Sequence, residues 1–268
     1  MTAPASEYLH SEFAWPDNMR LHEDNTFGLL TLDVEEKNHF LLKYEEFEAR
    51  FAPEQGIRIE STGNMPKRYF AERIAIPFLR LLNGYLLLHA SALSTPQGGV
   101  VFLAPSGIGK STIAASLLSF PDIKLIADDI ATISSGMIYP LSSQLAMRHA
   151  MADDADYVES VEFNGYKRLL NIHPNKVESV PVPLSCICLL ESGKPSQFQP
   201  FSECLSQILA QQLKLSNPPP EFARAQFKSV FDLKSIPCLR IDISCRDKAA
   251  SLQSAQHIID ALQTLSSP

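Results

Sequence analysis

The stretch of sequence that decides the fold is residues 99–112, Gly-Val-Val-Phe-Leu-Ala-Pro-Ser-Gly-Ile-Gly-Lys-Ser-Thr. Its first part is rich in β-branched and aromatic side chains and predicts a buried strand. The remainder, from Ala104, fits the pattern Ala/Gly-x-x-x-x-Gly-Lys-Ser/Thr. An amphipathic run with Ile113, Leu117 and Leu118 follows, which predicts a helix. The stretch therefore predicts a strand, a phosphate-binding loop and a helix in succession.

The residue types in this loop suit the binding of phosphate groups. Glycines let the backbone curl with its N–H groups pointing inward, where a side chain would block a phosphate. The helix that begins near Lys110 directs the positive end of its dipole at the same place. Lys110 supplies a charge for the β- and γ-phosphates, and Ser111 offers a hydroxyl to Mg²⁺. We therefore predict a nucleoside triphosphate site for ATP and Mg²⁺, formed by Ser106, Gly107, Ile108, Gly109, Lys110, Ser111 and Thr112.

An alternative interpretation of this stretch is a glycine-rich turn between a strand and a helix that carries a lysine by chance. The apolar strand before the loop and the amphipathic helix after it disfavour that interpretation. Ala104 stands where the commonest form of the pattern has glycine, and alanine fits there if its φ is negative.

Composition bounds the class of protein. The 268 residues suffice for one large domain or two modest ones, and 45% hydrophobic and 20% charged residues are ordinary for a globular protein. The net charge of −7 argues against nucleic acid as a main partner. No apolar run approaches the ~18 residues of a membrane span, and the N-terminus lacks the pattern of a signal peptide. The sequence leaves the oligomeric state open, with a homo-oligomer among the possibilities.

Cysteine usage indicates the cellular compartment. The chain has 5 cysteines, an odd number, scattered within apolar segments. Cys186 and Cys188 alternate in a predicted strand, so both point to one face and are expected in the core. Neither has further Cys or His at metal-ligand spacing nearby. We expect a protein of the reducing cytoplasm.

The chain is predicted to divide near residue 83. The accessory region, 1–83, consists of a polar N-terminal arm over 1–25, short strands between 27 and 60, and a helix over 66–83 that Pro77 kinks or restarts. The domain over 84–268 interleaves strands with helices, which indicates an α/β core. Its predicted strands are 84–93, 99–104, 123–127, a hairpin over 131–139, 184–191 and 238–244; its later helices are 201–214, 219–232 and 247–264. Residues 141–180 are mostly polar and are expected to include a mobile segment.

Two adjacent carboxylates follow the strand after the loop. Asp128 and Asp129 end the run Leu-Ile-Ala-Asp-Asp, 17 and 18 positions beyond Ser111. One carboxylate can hold Mg²⁺ while the other accepts a proton from an attacking hydroxyl. A cap on a turn or helix is the alternative role for such an Asp pair.

His89 stands at the end of the run Tyr-Leu-Leu-Leu-His, just before the strand that leads into the loop. It is predicted either to contact the γ-phosphate or an acidic partner, or to be a structural histidine held by a backbone carbonyl. A histidine beside phosphate is expected to have a pKa above its usual ~6.5, because the negative charge favours the imidazolium.

The segments Leu-Leu-His-Ala-Ser-Ala-Leu, Ala-Pro-Ser-Gly-Ile-Gly-Lys-Ser-Thr and Leu-Ile-Ala-Asp-Asp-Ile resemble the HPr kinase/phosphorylase family over about residues 84–140. The resemblance implies an ATP-dependent kinase that phosphorylates a serine hydroxyl, with a nucleotide domain similar to phosphoenolpyruvate carboxykinase. The domain 84–268 is then a P-loop kinase domain. The implied catalytic residues are Asp128 as the base, His89 near the transferred phosphate, and Lys110 on the phosphates. The implied magnesium ligands are Ser111 and Asp129.

The chain also departs from that family. The glycine- and arginine-rich segment that follows the core of true HPr kinases is missing, and 141–175 offers only scattered charged residues such as Arg148 and Arg168. The chain is therefore expected to be a divergent relative that phosphorylates a peptide, a protein or a small alcohol. A nucleotide-binding regulatory protein, or a slow ATPase without an acceptor, is the alternative function.

Overall fold

The computed structural model describes residues 6–9, 26–27, 30–36, 39–44, 47–52, 56–61, 70–148, 157–163, 167–216, 218, 220–243 and 248–265. The fold is mixed α/β. The chain forms two compact units, Met1–Leu87 with Leu213–Ser229, and Leu88–Gln212 with Val230–Pro268. The predicted domain over 84–268 included 213–229, which lies in the first unit instead. One reason is that Gln226 Nε2 donates a hydrogen bond to the Tyr85 carbonyl at 3.0 Å.

The first unit contains a six-stranded antiparallel sheet in the order β1-β6-β5-β4-β3-β2. Its strands are β1 (Ser6–Leu9), β2 (Thr26–Phe27), β3 (Leu30–Glu36), β4 (His39–Tyr44), β5 (Phe47–Ala52) and β6 (Gly56–Ser61). The strands predicted between 27 and 60 are thus present. The N-terminal arm predicted over 1–25 is wrong at Ser6–Leu9, which form β1 and pair with β6. The next described strand, β2, begins at Thr26 and pairs with β3. Residues 10–25 lie outside the described residues.

The helical segment of the first unit consists of two parts. A π-helical segment, Ala71–Ala75, leads directly into α1 (Ile76–Leu82). Pro77 is the second residue of α1, directly after the change from π- to α-helical hydrogen bonding. The predicted helix over 66–83 is thus present from residue 70 and changes its hydrogen bonding next to Pro77, the residue predicted to kink or restart it. Residues 66–69 lie outside the described residues.

A larger sheet organises the second unit. Its strands are β8 (Ala90–Thr95), β9 (Gly98–Leu103), β10 (Lys124–Ala127), β11 (Ala131–Ser134), β12 (Met137–Tyr139), β16 (Val182–Glu191), β17 (Gln197–Gln199) and β19 (Cys238–Asp242). The short strands β7 (Leu86–Leu88) and β18 (Gln212–Leu213) lie at the boundaries of the units. The predicted hairpin over 131–139 is confirmed as β11 and β12, and Ser135 and Gly136 turn between them with φ of 51° and 72°.

The order of strands around β9 fixes where the site lies. β8 lies antiparallel to β9 and to β10, while β16 pairs in parallel with β9 on one side and with β19 on the other. The order across this part of the sheet is therefore β10-β8-β9-β16-β19. The carboxyl ends of β9, β10, β16 and β19 and the amino end of β8 consequently meet at one edge. Ligands of α/β sheets bind in the crevice outside such an edge.

A second, three-stranded antiparallel sheet in this unit corrects the prediction for 141–180. It has the order β13-β15-β14, from β13 (Gln144–Arg148), β14 (Glu159–Phe163) and β15 (Lys167–Asn171). Leu145, Met147 and Leu170 are buried in the core of the unit. Each strand has 5 residues, and the apolar residues that pair, such as Leu145 and Leu170, are far apart in the sequence. The sequence pattern within any one strand is therefore weak. Residues 149–156 and 164–166 lie outside the described residues.

The remaining elements are mostly helical. They are α2 (Lys110–Leu118), a 3₁₀ turn (Pro174–Lys176), α3 (Phe201–Ala210), α4 (Pro220–Phe231), a second 3₁₀ turn (Asp232–Ser235) and α5 (Lys248–Leu265). The core of the second unit brings together α2, α5 and the sheet through Phe102, Leu117, Leu239 and Ile258. Cys186 and Cys188 are fully buried there, as their alternation predicted. Among the described residues, no helix is long and apolar enough to cross a membrane.

Candidate active site

We call the loop after β9, residues 104–111, the glycine loop. Gly107 and Gly109 have φ of 80° and 126°, a conformation that side chains rarely adopt. A Cβ atom on Gly109 would meet nothing within 4 Å, so the backbone conformation rather than crowding requires glycine there. Among the described non-glycine residues, positive φ is confined to Asp129 and Ser135, so Ala104 has the negative φ that an alanine at this position needs.

Lys110 begins α2 and lies across the glycine loop. Its side chain is buried, and Nζ donates hydrogen bonds to the carbonyl oxygens of Ala104 at 2.8 Å and Pro105 at 3.4 Å. Burial of an ammonium group is costly unless hydrogen bonds or opposite charge compensate it. The loop carbonyls therefore hold a positive charge against the inner wall of the glycine loop.

Asp128 ties the glycine loop to two other elements, β8 and β13. Its Oδ1 accepts hydrogen bonds from Ser91 Oγ at 2.7 Å and from Ser111 Oγ at 2.9 Å. Its Oδ2 accepts one from the backbone N–H of Ala146 in β13 at 2.9 Å. Only 1% of the residue is exposed. The carboxylate thus points inward and is held by donors from β8, α2 and β13.

Asp129 points elsewhere although it is the next residue. Its φ is 68°, in the left-handed region that aspartate tolerates better than most residues. Its carbonyl oxygen accepts a hydrogen bond from the N–H of Ala90 at 3.1 Å, which anchors the turn to β8. The backbone turn directs Asp129, and not Asp128, into a cavity beside the glycine loop.

His89 lines the same cavity. The prediction placed it inside one strand over 84–93, but the strand is broken at His89, a bend between β7 and β8. Its backbone N–H donates to the Gln211 carbonyl at 2.7 Å. Burial lowers the pKa of the half-buried imidazole and the positive charge of Lys110 lowers it further, while Asp129 and Asp128 partly oppose this. Without a bound anion the shift is therefore opposite to the one expected beside phosphate.

The cavity has a volume of about 220 Å³. All but one of the predicted site residues line this cavity: His89, Ser106, Gly107, Ile108, Gly109, Lys110, Ser111, Thr112 and Asp129. The exception is Asp128, which is buried and does not line it. Sequence patterns did not assign to the site the six lining residues that lie beyond Asp129 in the chain: Ala146, Met147, Arg148, Ile243, Ser251 and Ser254. They come from segments 17 to 125 positions beyond Asp129, and nothing in the local pattern links them to the loop.

Arg148 is the most informative of these additional residues. It is exposed at the end of β13, and its Nη2 lies 3.4 Å from where a Cβ atom on Gly107 would be. The guanidinium group therefore lies over the glycine loop. Arg148 adds a second positive charge to the lining of the cavity, in addition to that of Lys110.

Oxygen donors suited to Mg²⁺ lie beside the loop. Ser111 Oγ and the Asp128 carboxylate are already in contact, and Asp129 lies at the next position. Within the described residues there is no cluster of three or more His, Cys, Asp or Glu side chains that could hold a metal by itself. The Ser111 hydroxyl and the neighbouring aspartate oxygens fit Mg²⁺, which prefers oxygen ligands and is usually bound by one or two carboxylates together with phosphate and water.

Comparison with known proteins gives a distant structural likeness. No protein-family model matches the chain, and no curated protein matches its sequence. Among solved structures, the Hpr(Ser) kinase/phosphatase from Coxiella burnetii is similar over 68% of this chain and 99% of its own length, with 11% sequence identity and a TM-score of 0.37.

Proposed function

We propose that this chain is an ATP-dependent kinase that transfers the γ-phosphoryl group to a hydroxyl of a peptide, a protein or a small molecule. The observation that carries the proposal is that Lys110, His89 and Asp129 converge on one cavity with the glycine loop. A site that only binds nucleotide needs the loop and the lysine. It has no need of a general base, which is the role that we assign to Asp129 because this residue lines the cavity.

In this proposal the glycine loop binds the phosphates of ATP. Gly107 and Gly109 supply the left-handed backbone conformations on which a cradle of inward N–H groups depends. Lys110 exchanges its contacts with the loop carbonyls for the phosphate oxygens, because a charged acceptor forms the stronger hydrogen bond. Arg148 lies over Gly107, where it can neutralise charge that develops on the transferred group.

We assign the two aspartates roles opposite to those predicted from the sequence. Asp128 was assigned as the base, but it is buried, it accepts three hydrogen bonds, and it does not line the cavity. A general base must reach the proton that it removes, directly or through one water molecule. Asp129 lines the cavity and is the better candidate for the base.

Ser111, which lines the cavity, would then hold Mg²⁺ through its hydroxyl, and Asp128 would act behind it by fixing this hydroxyl. Magnesium supplies charge neutralisation on the phosphate oxygens when it is bound. Asp128 orients Ser111 Oγ through their 2.9 Å hydrogen bond, so the chain positions this hydroxyl before any ligand arrives. Asp129 receives the proton of the attacking hydroxyl, and His89 screens or orients the group that is transferred.

The proposal is tested by following the γ-phosphate of labelled ATP. The protein is incubated with Mg²⁺, [γ-³²P]ATP and three acceptor sets: serine-containing peptides, intact proteins and small alcohols. Label recovered on an acceptor supports the kinase, and Lys110→Ala must abolish it. Release of inorganic phosphate alone indicates a slow ATPase. Binding of ATP with neither transfer nor release indicates a regulatory nucleotide-binding protein, and either result overturns the proposal.

A further inference from the structure

The cavity is chemically asymmetric across the strand order β10-β8-β9-β16-β19. On the β8 and β10 side of the glycine loop lie His89, at the amino end of β8, and Asp129, just after β10. Arg148 belongs to the same side, because β13 is tied by Ala146 to the Asp128 carboxylate next to β10. The ionisable groups that line the cavity beyond Lys110 thus gather on one side of β9.

The opposite side of the cavity is formed by different residues. Ile243 follows β19 directly, and β19 is separated from β9 by β16, which places it about 10 Å away at the usual spacing between strands. Ser251 and Ser254 come from the first turns of α5, a helix that packs against α2. Among the described lining residues, those on this side carry apolar groups and hydroxyls and no charge.

The sequence of α5 explains how the hydroxyls reach the cavity. Ser251, Ala255, Ile258 and Leu262 recur at helical spacing and are all buried, so they form the inner face of the helix. The three later positions are apolar and pack in the core, whereas the first is a serine. Ser251 lines the cavity, so the inner face of α5 contacts the cavity at this serine and the core at the three later positions. Ser254 lies one residue before Ala255 and lines the cavity as a half-buried neighbour.

We propose that the end of the cavity lined by Ile243, Ser251 and Ser254 binds the base and ribose of the phosphoryl donor, so that the donor is a nucleoside triphosphate and not an inorganic polyphosphate. This inference rests on the proposed function, because it takes the glycine loop as the phosphate site. The triphosphate chain lies along the loop, and its γ end faces the ionisable groups. The nucleoside then extends past β16 toward β19 and α5.

The chemistry of this subsite fits a nucleoside. A base presents an apolar face and a polar edge, and ligand pockets pair apolar walls with a few placed hydroxyl or amide groups. Ile243 supplies the apolar wall, and Ser251 and Ser254 supply hydroxyls for the ribose or the edge of the base. An inorganic triphosphate would leave these three residues without any contact to the ligand.

Calorimetric titration of two ligands tests the inference. Mg²⁺·ATP and Mg²⁺·tripolyphosphate are titrated into the wild-type protein and into Ser254→Phe, which fills the subsite but leaves the glycine loop intact. Ser254→Leu is a smaller substitution at the same position in case the first variant does not fold. Gln253→Phe is the matched control, because it adds the same ring one residue away at an exposed position of α5.

The wild type is expected to bind ATP at least tenfold more tightly than tripolyphosphate. Ser254→Phe is expected to lose at least tenfold in ATP affinity while its tripolyphosphate affinity changes less than twofold, and Gln253→Phe should match the wild type for both ligands. Equal wild-type affinity for the two ligands, unchanged ATP affinity in a folded Ser254 variant, or equal loss for both ligands would overturn the inference. A wild type that binds neither ligand instead contradicts the proposed function.

Discussion

Ser111 Oγ donates a hydrogen bond of 2.9 Å to Asp128 Oδ1, which joins the glycine loop to the acidic end of β10. The same oxygen accepts a second bond from Ser91 Oγ at 2.7 Å. The predicted phosphate loop and the first of the two predicted carboxylates are therefore joined in one hydrogen-bonded unit. Asp129, and not Asp128, is the carboxylate that lines the cavity.

Lys110→Ala is expected to weaken ATP binding at least tenfold, about 1.4 kcal/mol, and to abolish transfer. The loop amides keep part of the affinity, so binding falls but does not vanish. Calorimetry with Mg²⁺·ATP measures the change, and Lys124→Ala, a lysine of β10 that does not line the cavity, is the control. Wild-type affinity in Lys110→Ala would exclude the glycine loop as the phosphate site.

Asp128→Asn is expected to lower stability by about 1–3 kcal/mol, because the loss of charge weakens hydrogen bonds from Ser91 and Ser111 and the amide offers one acceptor where the carboxylate has two. It should also raise the Mg²⁺ concentration needed for half-maximal turnover. Thermal unfolding and a Mg²⁺ titration measure the two effects, with the exposed Asp122→Asn as control. If both variants unfold alike and need equal Mg²⁺, Asp128 does not have this role.

In the nucleotide-free protein, the pKa of His89 is expected below 6.5, because burial and Lys110 disfavour the imidazolium. The unfolded chain then binds a proton at His89 more readily than the folded chain does. The contribution of neutral His89 to the free energy of unfolding is therefore fully present above pH 6.5 and falls as the pH decreases toward the folded-state pKa. Proton NMR follows the titration, and His89→Gln identifies the signal among the 7 histidines. Addition of ATP should raise this pKa. A value above 6.5 without nucleotide would contradict the geometry described.

Arg148→Ala is expected to lower the transfer rate at least tenfold, about 1.4 kcal/mol of barrier, with a smaller change in ATP affinity. The reason is that a guanidinium beside the loop acts on charge that develops during transfer. Steady-state rates and calorimetry separate the two effects. Arg148→Lys should recover part of the rate, and Arg224→Ala, an exposed arginine of α4, should behave as wild type. An equal loss of affinity and rate would make Arg148 a binding residue only.

Local sequence patterns predicted much of this molecule. The strand, loop and helix around residue 104, the strands β10 and β16, and the hairpin of β11 and β12 each follow from short-range periodicity or from glycine chemistry. Patterns of this kind depend on residues a few positions apart, so they survive without knowledge of the tertiary structure.

The different placement of the two adjacent aspartates depends on tertiary structure. Asp128 and Asp129 are identical as residues, and a φ of 68° at the second sends their side chains in different directions. The turn at Asp129 is anchored to β8 by the hydrogen bond from the Ala90 N–H to the Asp129 carbonyl, a contact between residues 39 positions apart. The cavity wall from Arg148 and α5 is also long-range, and 213–229 joins the first unit through a contact with Tyr85. None of these contacts leaves a periodic signal in the sequence.

The measurement that tests the central claim most directly is single-turnover transfer from [γ-³²P]ATP by the wild type and by Asp129→Asn, resolved into ATP, phosphate and labelled acceptor. The wild type is expected to label an acceptor, while Asp129→Asn binds ATP with affinity within about threefold and transfers at least a hundredfold more slowly, about 2.7 kcal/mol of barrier. Transfer by Asp129→Asn at the wild-type rate, or a wild type that leaves all label in ATP with every acceptor class, would contradict the account.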